Sequence, residues 1–294
     1  MSIDLSNYDG KIVVNTEAGM RLNIATQLGI PVDYMDYSTL NDHLDIIPNT
    51  IPGDDVYAKS IYMVIGDRGH YLTADVDGNT LGIPLPHDPT DVAPFRIRPL
   101  VLRPVTNDLS DAERTRYRLR KLVNLNGTNY WAYYCLVLST SGVKVVSNRV
   151  VVKDGSETIT EFKYTDKELN PQPPTTVGLT TADQTGTSDG TYIDCHATMT
   201  LSLSASDIEE YLNVCTILNG SPLKSAISEI CLVAGVDTTI TGQSFTGSSF
   251  TMTELAAAQV VTFISTFCMA SMSNNGLGFT VEVGQTTPVP VTSA

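Results

Sequence analysis

The stretch Arg114-Thr-Arg-Tyr-Arg-Leu-Arg-Lys-Leu-Val-Asn-Leu-Asn-Gly-Thr-Asn-Tyr-Trp-Ala-Tyr-Tyr-Cys-Leu-Val-Leu138 carries the clearest fold signal in the chain. In its first half, arginines alternate with Thr, Tyr and Leu, and this period of two predicts a β-strand. The pair Asn126-Gly127 supplies the residues that a type I′ turn requires. The sequence therefore predicts an antiparallel hairpin over residues 115–138, with four guanidinium groups on one face of its first strand.

The hairpin lies in the basic part of an acidic chain. Eight of the 18 Lys and Arg residues fall between Arg96 and Lys121, where only three of the 32 acidic residues lie. We call residues 96–121 the basic segment. The whole chain has a formal net charge of −14, and phosphate affinity comes from clustered cations, so we expect no direct nucleic-acid binding. The segment predicts one contact surface.

Three interpretations of the arginine strand compete. In the first, its guanidiniums pair with carboxylates of a neighbouring subunit, which can be a copy of this acidic chain. In the second, the strand is a charged and solvated edge that resists aggregation. In the third and least favoured, cations beside aromatic rings form a nucleic-acid surface. The predicted interface residues are Arg114, Arg116, Arg118, Arg120, Trp131 and Tyr133.

Beyond the hairpin, the sequence predicts a mainly β protein with a few short helices (α+β) and antiparallel sheets in two domains. A helix is expected over residues 16–28, because Thr16 can cap it and Met20, Ile24 and Leu28 repeat on one face, which makes the helix amphipathic. The further predicted elements are strands at Val143–Val152, Thr158–Tyr164, Tyr192–Leu203, Ala226–Val236, Phe263–Met272 and Leu277–Val283, and helices from Ser206 to Gly220 and over Thr253–Val261.

Proline usage predicts where the two domains divide. Residues 169–174 hold three prolines, which favour an extended linker. The N-terminal β-rich domain then covers residues 1–168, including long Pro-rich loops between residues 41 and 104. The C-terminal α+β domain covers residues 175–294.

The sequence signals no catalytic residue, no metal site and no cofactor, so an enzyme is not predicted. The four histidines are isolated, and the five cysteines stand far apart among apolar neighbours, as buried reduced thiols do. Asp75-Val-Asp77-Gly-Asn79 resembles the start of a calcium loop but lacks its closing glutamate, so a hairpin turn is preferred and calcium stays an alternative. The N terminus has no signal-peptide pattern, and Ala256–Ala270 is too polar to span a bilayer, so no membrane contact is predicted.

Several stretches resemble a family of tailed-bacteriophage virion proteins. The similar stretches are Asp108–Arg120, Asn126–Leu138, Leu169–Pro174, Ala226–Asp237 and Gln259–Thr266, and more loosely Thr16–Met20, which resembles tail-fibre and baseplate proteins. The resemblance implies a structural subunit of the tail, baseplate or neck, located in the virion after assembly in the host bacterial cytoplasm. Its implied partners are other virion structural proteins, with copies of itself among the candidates.

Two other functions remain open at this stage. In the first, the protein is a receptor- or glycan-binding tail component in which Trp131 and nearby tyrosines form a sugar platform. In the second, it is an enzyme whose active-site residues are dispersed in the sequence. A pocket that unites two carboxylates, or a carboxylate with His43 or His70, would favour the enzyme.

Overall fold

The computed structural model of the chain describes residues 11–31, 40, 44–47, 58–74, 80–171, 179–180, 190–271, 275–289 and 291–292. It is mainly β, with antiparallel sheets and few helices, as the sequence predicts. In chain order the elements are β1 (Ile12–Asn15), α1 (Glu17–Leu28), β2 (Lys59–Gly66), β3 (His70–Ala74), β4 (Thr80–Pro84), β5 (Ile97–Arg98), β6 (Val101–Pro104), α2 (Asp111–Arg114), β7 (Tyr117–Leu125), β8 (Thr128–Val137), β9 (Val145–Lys153), β10 (Ser156–Glu161), α3 (Asp166–Leu169), β11 (Leu179–Thr180), β12 (Gly190–Ser204), α4 (Ala205–Asn219), β13 (Ala226–Gln243), β14 (Ser249–Met269), β15 (Gly276–Pro288) and β16 (Val291–Thr292).

The chain forms two compact units. The first holds residues 1–139 and 202–277, and the second holds residues 140–201 and 278–294. The predicted boundary at residues 169–174 therefore does not separate them. The physical reason is strand pairing: β2, from the N-terminal half, pairs with β13, from the C-terminal half, so both halves build one sheet. Residues 172–178, which include half of the predicted linker, lie outside the described part of the chain.

The first unit is built on an eight-stranded sheet. Its strand order is β1-β14-β13-β2-β8-β6, with β5 paired to β2 and β7 paired to β8. The predicted hairpin is confirmed as β7 and β8, and Asn126 and Gly127 take φ values of 49° and 84° at the turn. The predicted turn at residues 75–79 lies outside the described residues, but the strands on either side, β3 and β4, pair antiparallel.

Helix α1 begins and ends where the sequence predicts, but it buries a different face. The Thr16 side chain accepts a hydrogen bond from the Gly19 N–H at 2.9 Å, and Gly29 ends the helix at φ 64°. Its buried residues are Ala18, Gly19, Leu22 and Ala25. These mostly small side chains let the helix backbone approach β14: a Cβ built on Gly19 would lie 2.8 Å from the carbonyl oxygen of Val261.

The helix predicted at Thr253–Val261 is wrong. These residues lie inside β14, which pairs with β13 on one edge and with β1 on part of the other. A strand buried on both faces has a continuous apolar run, so its pattern does not distinguish it from a buried helix. Helix α4 is confirmed, with Gly220 as its C-cap, but its N-cap is Ser204 rather than Ser206, because Asp207 rather than Glu209 completes the capping box.

The second unit contains a four-stranded sheet in the order β10-β9-β12-β15 and a short pairing of β11 with β16. Strands β9 and β10 join through Asp154 and Gly155, whose φ values of 50° and 73° match the predicted hairpin turn. All six residues of β10 are exposed.

Candidate interaction surfaces

The basic segment is neutralised within its own chain. Each of its eight bases has a carboxylate of the same chain within ion-pair distance. The pairs are Arg96 and Arg98 with Asp67, Arg103 with Glu210, Arg114 with Asp108 and Asp111, Arg116 with Asp207, Arg118 with Asp237, Arg120 with Asp108, and Lys121 with Asp45 and Glu254. Because most of these partners are distant in the sequence, the charge imbalance along the chain disappears in the fold.

Arg120 is the most deeply buried of the four predicted interface arginines. Its side chain is 4% exposed, and its Nη2 lies 2.5 Å from an Asp108 carboxylate oxygen. The guanidinium stacks over the Trp131 ring at 3.3 Å, and its Nε donates to the Tyr133 hydroxyl at 3.1 Å. Tyr133 in turn donates to Asp108. These contacts make Arg120 part of the core of the unit. Its guanidinium forms its hydrogen bonds and its stacking contact with residues of its own chain.

Arg114 and Arg118 pack against the far end of the β13–β14 hairpin. The Arg114 guanidinium lies 4.3 Å above the centre of the Phe250 ring, and Arg118 Nε donates to Asp237 at 2.9 Å. Tyr62 donates to the same carboxylate at 2.8 Å. A cleft of about 330 Å³ opens between these elements, lined by both guanidiniums and Phe250. Arg114 and Arg118, which the sequence predicts to bind a neighbouring subunit, thus contact a hairpin of their own chain.

Arg116 is the most exposed of the four arginines, with 43% of its side chain accessible. Its Nη2 donates to Asp207 at 2.8 Å, and Asp207 also accepts from Ser204 in the capping box of α4. Burial alone would raise the pKa of the Asp207 carboxyl, but the hydrogen bonds from Arg116 and Ser204 outweigh it and hold that pKa below its ordinary value. Arg116 therefore helps to fix the first turn of α4.

Two further arginines hold α4 along its length. Arg103 forms two hydrogen bonds to Glu210, and Arg98 donates to Asn219 at 3.0 Å. Together with the Arg116 contact, these bonds reach the start, middle and end of the helix. The sequence shows the basic residues but gives no signal that a helix some 90 to 120 residues away supplies their partners.

The two predicted aromatic interface residues offer little free surface. Tyr133 is completely buried, and Trp131 is partly exposed with one face covered by Arg120. Trp131 Nε1 is buried and has no hydrogen-bond partner among the described residues. The interface role of these six residues remains a prediction, and within this chain their contacts are structural.

A buried His–carboxylate cluster is the feature that sequence reasoning missed. His87 Nδ1 lies 2.8 Å from Asp91, and its Nε2 lies 3.0 Å from Glu229. The imidazole stacks between the rings of Phe95 and Phe263, at centroid distances of 4.1 and 3.8 Å. Since 142 positions separate His87 from Glu229, no local motif could have revealed the pair.

Glu229 anchors this cluster from β13. It also accepts backbone N–H groups from Arg68 at 3.1 Å and Phe95 at 2.6 Å. The side chains of His87 and Glu229 are both 0% exposed. Carboxylates and a histidine do converge here, but the imidazole has a ring on each face and a carboxylate on each nitrogen. This geometry ties the segment between β4 and β5 to the sheet and leaves a substrate no approach to the ring.

The other candidate groups show no assembled site in the described chain. His43 lies outside the described residues, and burial lowers the pKa of His70, whose Nδ1 has no partner in the described part. No three His, Cys, Asp or Glu side chains converge to hold a metal ion among the residues described. Burial of the cysteines, predicted for all five, is found for Cys135, Cys215 and Cys231, while Cys195 and Cys268 are half-buried. No described helix is both long and apolar enough to cross a membrane.

Helix α1 exposes a row of large apolar side chains on one face. Met20, Ile24 and Leu28, which we call the α1 stripe, are 51%, 57% and 66% exposed. Ile30, just after the helix, is also exposed. Exposed apolar side chains are ordinary when scattered singly, but a contiguous row of them marks an interaction surface.

The fold and these surfaces define a mainly β protein with an internally paired basic segment and an exposed apolar helix face. The chain belongs to a family of unknown function, DUF7208, whose profile matches residues 3–294. No curated protein and no solved structure matches the chain.

Proposed function

We propose that the protein is a structural subunit of a bacteriophage virion, in the tail, baseplate or neck, and that it acts through protein–protein interfaces. The virion assignment rests on the sequence resemblance. The interface assignment rests on one observation, which is that the α1 stripe is exposed while the opposite face of the same helix packs on β14.

The energetics of the stripe favour a partner. Burying an exposed Met, Ile or Leu side chain stabilises a complex by about 1 to 2 kcal/mol per residue. The stripe repeats every four residues, so all three side chains point the same way and one partner surface can cover them together. Helix α1 is also fixed in place at its start, because Thr16 donates to the Val260 carbonyl at 2.6 Å. A rigid, preformed apolar face loses little entropy on docking.

The two other functions receive less support from the geometry. A sugar platform needs open aromatic faces, but Tyr133 is buried and Arg120 covers a face of Trp131. An enzyme needs access to its catalytic groups, but the His87 side chain is sealed between Phe95 and Phe263. Both observations favour interface contact over these two functions.

The test is incorporation into particles. We expect the variant Met20→Gln, Ile24→Gln, Leu28→Gln to keep the wild-type fold but to be incorporated into virions at least tenfold less than the wild-type chain, as measured by quantitative mass spectrometry of purified particles. A matched control is Leu223→Gln, since Leu223 is 82% exposed but lies outside the stripe. Equal incorporation of the triple variant would refute the role of the stripe, and absence of the wild-type chain from particles would refute the virion assignment.

A further inference from the structure

Strand β10 forms an edge of the sheet in the second unit. It pairs with β9 and has no second neighbour among the described strands. All six of its residues, Ser156–Glu161, are exposed, and Ile159 is an exposed large apolar residue among them. An edge of this kind presents unpaired backbone donors and acceptors to a further strand.

Two observations show which residues of β10 form backbone hydrogen bonds to β9. The Phe162 N–H donates to the Ser147 carbonyl at 2.8 Å, and the two-residue turn closes with Lys153 opposite Ser156. Hydrogen-bonded and non-hydrogen-bonded pairs alternate along an antiparallel ladder. The even-numbered residues of β10 therefore bond to β9. The backbone groups of the odd-numbered ones, Glu157, Ile159 and Glu161, point away from it.

From this edge we infer a self-association site in which β10 pairs antiparallel with β10 of a second copy, centred on Thr160. A two-fold axis through an edge strand requires outward-pointing residues to face outward-pointing residues. This condition leaves three central registers, with the axis at Thr158, Ile159 or Thr160. Their charge pairs decide among them.

The register centred on Ile159 places Glu157 directly opposite Glu161 of the other copy at both ends, and like charges directly opposite each other destabilise a pair of strands. The register centred on Thr158 brings no charged residues opposite one another. The register centred on Thr160 places Glu157 opposite Lys163 of the other copy, twice by symmetry. Lys163 is three-quarters exposed and already lies 3.0 Å from Glu161 on its own chain, so it would sit between two carboxylates.

A second copy is the occupant that this charge pattern fits. The strand carries its two acids and its following lysine at positions that complement themselves only under two-fold symmetry. The inference goes beyond the proposed function, because it concerns a different surface and does not need a virion. The α1 stripe variant is therefore expected to keep this association. The interface role of the stripe and the self-association through β10 can thus be refuted independently of each other.

The first experiment is disulfide trapping of the full chain. In the register centred on Thr160, the two Thr160 residues form a non-hydrogen-bonded pair with Cα atoms about 4.5 Å apart, within the range of a disulfide. We expect Thr160→Cys to yield a disulfide-linked dimer under mild oxidation, seen on a non-reducing gel. Thr158→Cys is the matched control, since its two copies lie four residues out of register. Crosslinking of Thr158→Cys, or of neither variant, overturns the inference.

The second experiment tests the charges by sedimentation equilibrium. We expect Lys163→Glu to weaken the dimer by at least tenfold in Kd, because it places two like-charge pairs across the edge. Adding Glu157→Lys restores the cross-strand pairs and is expected to recover most of that loss. Circular dichroism checks that each variant keeps the wild-type fold. A wild-type chain that stays monomeric at millimolar concentration, or a Kd that Lys163→Glu leaves unchanged, overturns the inference.

Discussion

The basic segment and helix α1 differ in what covers them. Every base of the basic segment contacts a carboxylate of the same chain, and Arg120 is almost completely buried. The α1 stripe consists of apolar side chains, yet each is more than half exposed. The bases of the basic segment thus form contacts within the chain, and the apolar side chains of the α1 stripe form an exposed face. The comparison shows that residue type does not decide which surface is free to bind. A surface is free when no other part of the chain contacts its side chains.

The largest effect is expected from Arg120→Ala. This change removes the buried guanidinium that contacts Asp108 and the Tyr133 hydroxyl and leaves Arg114 as the only cation paired with Asp108 in the described chain. Removing one partner of a buried ion pair costs about 3 to 5 kcal/mol. Urea unfolding monitored by circular dichroism measures the loss. Arg120→Lys is the control, because it keeps the charge but loses the forked geometry and the stacking on Trp131. A loss below 1 kcal/mol for Arg120→Ala would mean that the segment is not held internally.

The next effect separates the two faces of α1. Leu22 is buried at 3% exposure, so Leu22→Ala is expected to cost about 2 to 4 kcal/mol of unfolding free energy. Ile24→Ala removes a side chain of similar size from the exposed face and is expected to cost less than about 0.5 kcal/mol. Equal losses for the two variants, measured by urea unfolding of the isolated chain, would show that the stripe is covered in the monomer.

A smaller, pH-dependent effect is expected from Arg116→Ala. The pair with Asp207 is partly exposed, so its loss should cost about 1 kcal/mol at neutral pH. Because the folded-state pKa of Asp207 lies below its ordinary value, the stabilisation is complete above an unfolded pKa of about 3.9 and is lost as pH falls through the folded value. Unfolding at pH 7 and pH 3 is the measurement. The difference between variant and wild type should shrink at pH 3, and a constant difference would exclude this ion pair as its cause.

The smallest effect on folding is expected from the α1 stripe itself. The triple variant Met20→Gln, Ile24→Gln, Leu28→Gln should change the unfolding free energy of the monomer by less than about 1 kcal/mol, since glutamine is a good helix former and these positions contact little of the core. Differential scanning calorimetry provides the check. A large drop in Tm would place the stripe in the core and contradict its assignment as an interface.

Local signals in the sequence predicted the local structure well. The Asn126-Gly127 turn, the cap at Thr16 and the Gly220 terminus all act over a few residues, and the structure confirms each of them. The alternation of Tyr117 and Leu119 with arginines likewise gave the strand that became β7. Such features depend on backbone geometry that each residue type favours by itself.

The misassigned regions are those where distant parts of the chain compete with local preference. Residues 253–261 combine a helix-type start with an apolar run, and pairing with β13 turned them into a strand. On α1, apolar period alone favoured the Met20 face, but the small residues opposite it allow closer packing on β14.

The sequence by itself determined that the protein is mainly β, where its clearest hairpin lies and how two of its helices are capped or ended, because these depend on contacts between near neighbours. Only the tertiary structure decided which charges are satisfied and which apolar face stays open. The pairs Arg118–Asp237 and His87–Glu229 join residues that are 119 and 142 positions apart in the sequence. No local sequence pattern around either residue of a pair indicates that the two come into contact in the fold. Charge pairing and burial are properties of the assembled sheet, and the chain acquires them when β2, β13 and β14 come together.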